Sequence, residues 1–191
     1  MAANKIRYGL RNAHYAVLDE EGGTYATPVK LPGAVSLELT PEGEESSFYA
    51  DDAKYFTMTA NNGYKGSLEL AYIDDAAKAA LLGFGTDDNG LALEGPDDVQ
   101  APFALLYEVQ GDAAGRRYVF YNVKMARPAE SRETQGEQTT PKTESASISA
   151  LPFTFDGRRV VKASLEYATA TATAYDAWFS AVAVPETVAQ G

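Results

Sequence analysis

The chain contains no cysteine and a single histidine, His14. Without thiols there are no disulfides, zinc–thiolate sites, iron–sulfur clusters or cysteine nucleophiles, and one imidazole cannot build a multi-histidine metal centre. No apolar run reaches the roughly 20 residues that a membrane helix requires. The opening Met1-Ala2-Ala3-Asn4-Lys5-Ile6-Arg7-Tyr8 lacks the apolar stretch of a secretory signal, which predicts a chain made and kept in a cytoplasm. Basic clusters are scarce: Arg116-Arg117 and Arg158-Arg159 are the only adjacent arginine pairs, and Lys+Arg 16 against Asp+Glu 27 leaves a net charge of −11. Proteins that grip nucleic acid neutralise phosphates with clustered Lys and Arg, so this chain should repel duplex DNA.

What is present is a well-supplied core. With 191 residues, 45% hydrophobic and 23% charged, the composition is that of a globular protein, expected as a single domain over residues 1–191. Alternation at period 2 dominates. Val35-Ser36-Leu37-Glu38-Leu39-Thr40 alternates and stops at Pro41, and Tyr64–Tyr72 places Leu68, Leu70 and Tyr72 on one face. Phe103–Val109 and Arg117–Met125 are apolar on both faces and read as central strands. Further strands are expected at Ile6–Leu18, Tyr55–Ala60, Thr143–Ala150 and Val160–Leu165. About eight strands imply an all-β sandwich or partial barrel.

Asn61-Asn62-Gly63 predicts a tight hairpin between Tyr55–Ala60 and Tyr64–Tyr72, and Asp87-Asp88-Asn89-Gly90 a second one between Phe84–Thr86 and Leu91–Leu93, because such sequences supply positive φ. One short helix is expected at Ala76–Leu82, capped by Asp74-Asp75 and ended by Gly83. Seven or eight residues do not hold a helix in water, so Leu81 and Leu82 must dock on a sheet.

Three stretches fit no compact core: an extended loop over 42–55, a polar loop over 128–141 and a C-terminal arm over 168–191. The first has little to bury beyond Phe48 and Tyr49, with Tyr55 close behind. The arm opens with Ala168-Thr169-Ala170-Thr171-Ala172-Thr173-Ala174, too poor in apolar area for an independent strand, yet runs into Tyr175-Asp176-Ala177-Trp178-Phe179, the richest aromatic cluster in the chain. Such an anchor docks on its own domain or on a neighbour. Buried aromatics carry most interface energy, so Phe48, Tyr49, Tyr55, Tyr175, Trp178 and Phe179 are the candidate inter-subunit contacts.

Catalytic chemistry finds no foothold. His14 lies in a strand pattern and no G-x-S-x-G elbow exists. Gly83-Phe84-Gly85 lacks the third glycine and the following helix of a dinucleotide site. Asp87-Asp88-Asn89-Gly90 has Gly85 where the first EF-hand ligand belongs and no Glu at the required offset. It reads as a turn, with a loose Ca²⁺ site at Asp87-Asp88 left open. Glu44-Glu45 and Asp51-Asp52 sit in polar sequence, not in an apolar cleft that would raise one carboxyl for acid–base work. No catalytic residue, cofactor or metal is expected, and the chain reads as a building block.

The ordered set Tyr8-Gly9-Leu10-Arg11-Asn12-Ala13-His14-Tyr15-Ala16, Tyr25–Ala34, Phe48–Asp52, Asn61–Gly66, Pro102–Glu108 and Tyr175–Phe179 resembles the major tail protein (tail tube) family of long-tailed bacteriophages. The resemblance implies a non-enzymatic virion protein with a β-sandwich and one flanking helix. Six copies would close into a ring, their inner sheets joining into one β-barrel around a lumen that passes double-stranded DNA without specific binding. Stacked rings would form a tail tube in the virion, assembled in the host cytoplasm with a tail tip initiator complex, a tape-measure protein and a tail terminator, and no membrane. The nearest alternative is a tube protein of a contractile injection or secretion machine. An alternative of another class is a carbohydrate-binding adhesin sandwich, since Tyr 12 and Trp 1 could form a sugar platform.

Overall fold

Apolar side chains alternate along strand after strand, and the chain buries them on both faces of one sheet. A computed structural model describes residues 8–43, 45–50, 53–112, 114–131, 134 and 142–185. In chain order the strands are β1 (Leu10–Asp19), β2 (Thr24–Tyr25), β3 (Val29–Lys30), β4 (Ala34–Glu42), β5 (Glu45–Ala50), β6 (Ala53–Thr59) and β7 (Gly63–Leu70). Helix α1 (Asp75–Leu82) follows, then β8 (Gly85–Thr86), β9 (Ala92–Leu93), β10 (Phe103–Val109), β11 (Arg117–Met125) and β12 (Glu144–Leu151). The chain continues through β13 (Phe153–Phe155), β14 (Arg158–Val160) and β15 (Lys162–Leu165) to a short helix α2 (Ala172–Asp176).

The protein is mainly β. A nine-stranded sheet runs β2-β1-β10-β11-β12-β7-β4, with β15 added on β11 and β3 on β1, and every pairing in it is antiparallel. It curls so that β4 approaches β1, but no ladder joins them and the barrel stays open among the described strands. Inside the curl, Tyr15, Leu68, Leu70, Phe103, Leu105, Phe120, Val123 and Met125 form the main core. On the outer face, Ala16, Ala104, Leu106, Val119 and Tyr121 form a second apolar layer around Trp178. Phe120 and Val123 both point inward because β11 bulges: Phe103 pairs with Val123, but Leu105 pairs with Phe120.

Helix α1 is held as its sequence predicts. The Asp74 carboxylate accepts from the Ala77 N–H at 2.7 Å, Gly83 ends the helix at φ 78°, and Ala77, Leu81 and Leu82 enter the main core. The turn at Asp87–Gly90 also forms, with the Asp87 carboxylate accepting from Leu91 N–H at 2.8 Å and Asn89 N–H at 2.9 Å.

Two expectations are corrected. Strand β4 continues through Pro41 to Glu42, because β4 is the sheet edge and one side of it has no ladder to break. Asn61-Asn62-Gly63 does not turn a hairpin, since β6 and β7 are not paired with each other. The chain changes partner there: β6 pairs with β5, and β7 pairs with β4 and β12. Gly63 takes φ 115° at this kink. The segment expected as a loop over 42–55 is therefore largely a two-stranded ribbon, β5–β6, prolonging the β4–β7 pair. Glu44 and Asp51-Asp52 lie outside the described residues, as do most of the polar loop over 128–141 and the chain after Pro185.

Candidate assembly surface

The described aromatics of the ribbon are uncovered. The ribbon's strands form a separate two-stranded sheet, in which Phe48 pairs with Phe56 and Tyr49 with Lys54. The ladder slips by one residue here, leaving Tyr55 as the extra residue of a bulge on β6. Tyr55 is 78% and Phe56 55% exposed, so both aromatics meet solvent at the bulge. The side chains of Phe48 and Tyr49 lie outside what is described; their backbones run in β5.

The C-terminal arm behaves in the opposite way. Trp178 is only 3% exposed and packs on the outer layer of its own sheet with Ala16, Leu106, Val119 and Tyr121. Arg117 on β11 stacks between two arm aromatics, its Cζ 3.8 Å from the Tyr175 ring centroid and 4.9 Å from that of Phe179. Its guanidinium also donates to the Tyr175 carbonyl. Tyr175 Oη donates to the Gly115 carbonyl at 2.6 Å, and Tyr121 Oη to the Ala183 carbonyl at 2.8 Å. His14 lies under Phe179 with ring centroids 4.7 Å apart, and its Nδ1 donates to the Asn12 carbonyl at 2.9 Å. The lone imidazole thus serves packing.

A buried carboxylate anchors this patch. Glu108 is 6% exposed and receives Asn12 Nδ2 at 2.6 Å, Arg11 Nε at 2.7 Å and Arg117 Nε at 3.2 Å. Two guanidiniums and an amide replace the water that the carboxylate loses, which a buried charge requires. Asn12 reaches it because β1 bulges between Arg11 and His14, with Asn12 at φ 51°. Of the six candidate contacts, Tyr175, Trp178 and Phe179 therefore converge on one intramolecular patch, while Tyr55 stands apart on the ribbon.

A groove opens where the sheet fails to close. An aromatic half of about 350 Å³ is lined by Leu37, Leu39, Tyr64, Tyr107 and Phe120, and burial pushes the Tyr107 phenol up to about 12, helped by Tyr118 and Tyr64. Burial likewise pushes Tyr121 up to about 12 and raises Tyr25 and Tyr15. These phenols remain neutral and are not activated as nucleophiles. A second half of about 410 Å³ shares Tyr64 and Lys162 with the first and is lined by Asn61, Arg158 and Arg159. Lys162 Nζ lies 4.8 Å from the Tyr64 ring centroid. In the sequence Arg158-Arg159 stands out only as one of the two adjacent arginine pairs. The signal that would have placed it is Asp156-Gly157, a two-residue hairpin turn that joins β13 to β14. Among the described residues, no group of three or more His, Asp or Glu could hold a metal ion.

No protein-family model matches the chain, and no curated protein matches it by sequence. Two solved structures are similar to the chain at low identity and low TM-score. The anti-feeding prophage cap, a tube-terminating cap, is 10% identical with a TM-score of 0.42, over 87% of this chain and 99% of that one. A chain of the PVC sheath–tube complex, an extracellular contractile injection system in its extended state, is 9% identical with a TM-score of 0.42, over 86% of this chain and 95% of that one.

Proposed function

We propose that this chain is the structural subunit of a phage-type tail tube, in which copies close into six-membered rings and the rings stack around a lumen for duplex DNA. The observation that carries this reading is the β5–β6 ribbon, a two-stranded projection whose Tyr55 and Phe56 are left in water. An aromatic pair exposed on a strand edge invites association. An open, curled sheet is a second support, since joining sheets across subunits removes unpaired edges. The net charge of −11 suits a conduit that must not hold phosphates. Rings of such copies repel one another, and salt screens that repulsion. The family resemblance supplies the implied partners: a tip initiator, a tape-measure protein and a terminator.

Within this reading the ribbon, with Tyr55 foremost, makes the inter-subunit contact, and the arm bearing Tyr175, Trp178 and Phe179 braces its own sheet. Electron microscopy of concentrated purified protein tests the proposal. Sixfold rings or hollow tubes, promoted by added salt, are expected; discrete single-chain particles at every concentration and salt level would overturn it.

A further inference from the structure

We propose that the two-part groove around Tyr64 and Lys162 is the socket for the β5–β6 ribbon of a second copy. This inference rests on the tube-subunit reading and specifies which surface receives the ribbon.

The chemistry of the two surfaces is complementary. Three cations, Arg158, Arg159 and Lys162, line or border the groove with no carboxylate among its lining residues. Among the described residues, neither arginine has an ion-pair partner, whereas Arg11, Arg116, Arg117 and Arg127 each pair with a glutamate. Two arginines without an ion-pair partner beside one groove stand out in a chain of net charge −11. The ribbon offers the counterpart: exposed Tyr55 and Phe56 for the aromatic half, and an acidic sequence, Asp51-Asp52, between its strands. Arginine and lysine beside aromatic walls favour an aromatic guest through cation–π contact. Duplex phosphates would use the cations and leave the apolar half unfilled.

The ribbon cannot occupy the groove of its own chain. Asn61 and Tyr64 line the groove at the point where β6 passes into β7, so the groove sits at the ribbon's root. Six residues of β5 at about 3.3 Å each carry the far end roughly 20 Å away. The guest must come from another copy. Tip and socket are different surfaces of one molecule, so the contact is head-to-tail and propagates into rings or filaments.

The test uses two variants of the full chain: a socket variant, Arg158→Glu with Arg159→Glu, and a tip variant, Tyr55→Ser with Phe56→Ser. Unchanged melting of each, with Arg158→Gln/Arg159→Gln as a milder version, shows that folding is intact. Each alone should raise the concentration needed for assembly about tenfold or more. Mixed in equal amounts they should form a one-to-one pair that grows no further, because one intact tip meets one intact socket. A mixture that stays single-chain overturns the socket. A socket variant that assembles like wild type does the same while leaving the tube reading intact. Wild-type chains that never associate overturn both. Binding of a fluorescent DNA duplex that is lost in the socket variant, with assembly unaffected, would assign the groove to phosphate and overturn the proposal.

Discussion

The ribbon and the C-terminal arm look alike as sequence, each a polar stretch ending in aromatics, and they have opposite fates. The arm finds a host within its own chain because β1, β10 and β11 are apolar on both faces, and their outer layer of Ala16, Ala104, Leu106, Val119 and Tyr121 needs a cover. Tyr55 and Phe56 of the ribbon find none, because the ribbon prolongs β4 and β7, where the alternation leaves only one apolar face. An aromatic anchor is thus internal or external according to whether a vacant apolar face lies within reach.

Breaking the ribbon's root should have the largest effect. A Cβ on Gly66 would lie 1.8 Å from the Glu38 carbonyl oxygen across the β4–β7 ladder, so Gly66→Val must push the edge strand away. A loss of about 4 kcal/mol or more is expected in urea unfolding. Trp178→Ala leaves a hole under the arm and should cost about 3–5 kcal/mol, with the arm becoming protease-sensitive. Replacing Arg117 by Ala removes the cation between Tyr175 and Phe179 and one of two guanidiniums on Glu108. About 2–3 kcal/mol is expected there, since Arg11 still serves the buried carboxylate.

A smaller effect concerns acid. Glu69 on β7 accepts from Thr143 Oγ1 and, at 2.9 Å, from Ser36 Oγ, and these bonds, Thr143 first, hold its pKa below 4.5. A depressed carboxylate stabilises the fold at pH above its unfolded value and loses that contribution as pH falls through its folded one. The melting temperature of the wild type should therefore drop more than that of Glu69→Gln as pH falls below 4.5. The smallest stability effect is expected of Tyr55→Ser with Phe56→Ser: within about 0.5 kcal/mol for the single chain, because neither side chain is buried there.

Much of this was legible from the sequence, for identifiable reasons. Strands β10 and β11 have the predicted bounds, Phe103–Val109 and Arg117–Met125, because two-sided apolar runs admit few alternatives. Helix α1 was legible from its caps. The partner change at Asn61–Gly63 was not, since which strand pairs with which depends on residues far apart in the chain, and Asn-Gly supplies a positive φ to a kink as readily as to a hairpin. The internal fate of Trp178 could be reached only by asking what covers the outer face of a two-sided strand. The cluster around Glu108 needed the bulge at Asn12, which no local pattern announces.

Hydroxyl-radical footprinting of dilute and assembled protein tests the central contrast most directly. Tyr55 and Phe56 should react in the dilute chain and lose reactivity on assembly, while Trp178 is protected in both. Unchanged reactivity at Tyr55 and Phe56, or a Trp178 that is reactive when dilute and protected only in the assembly, would contradict it.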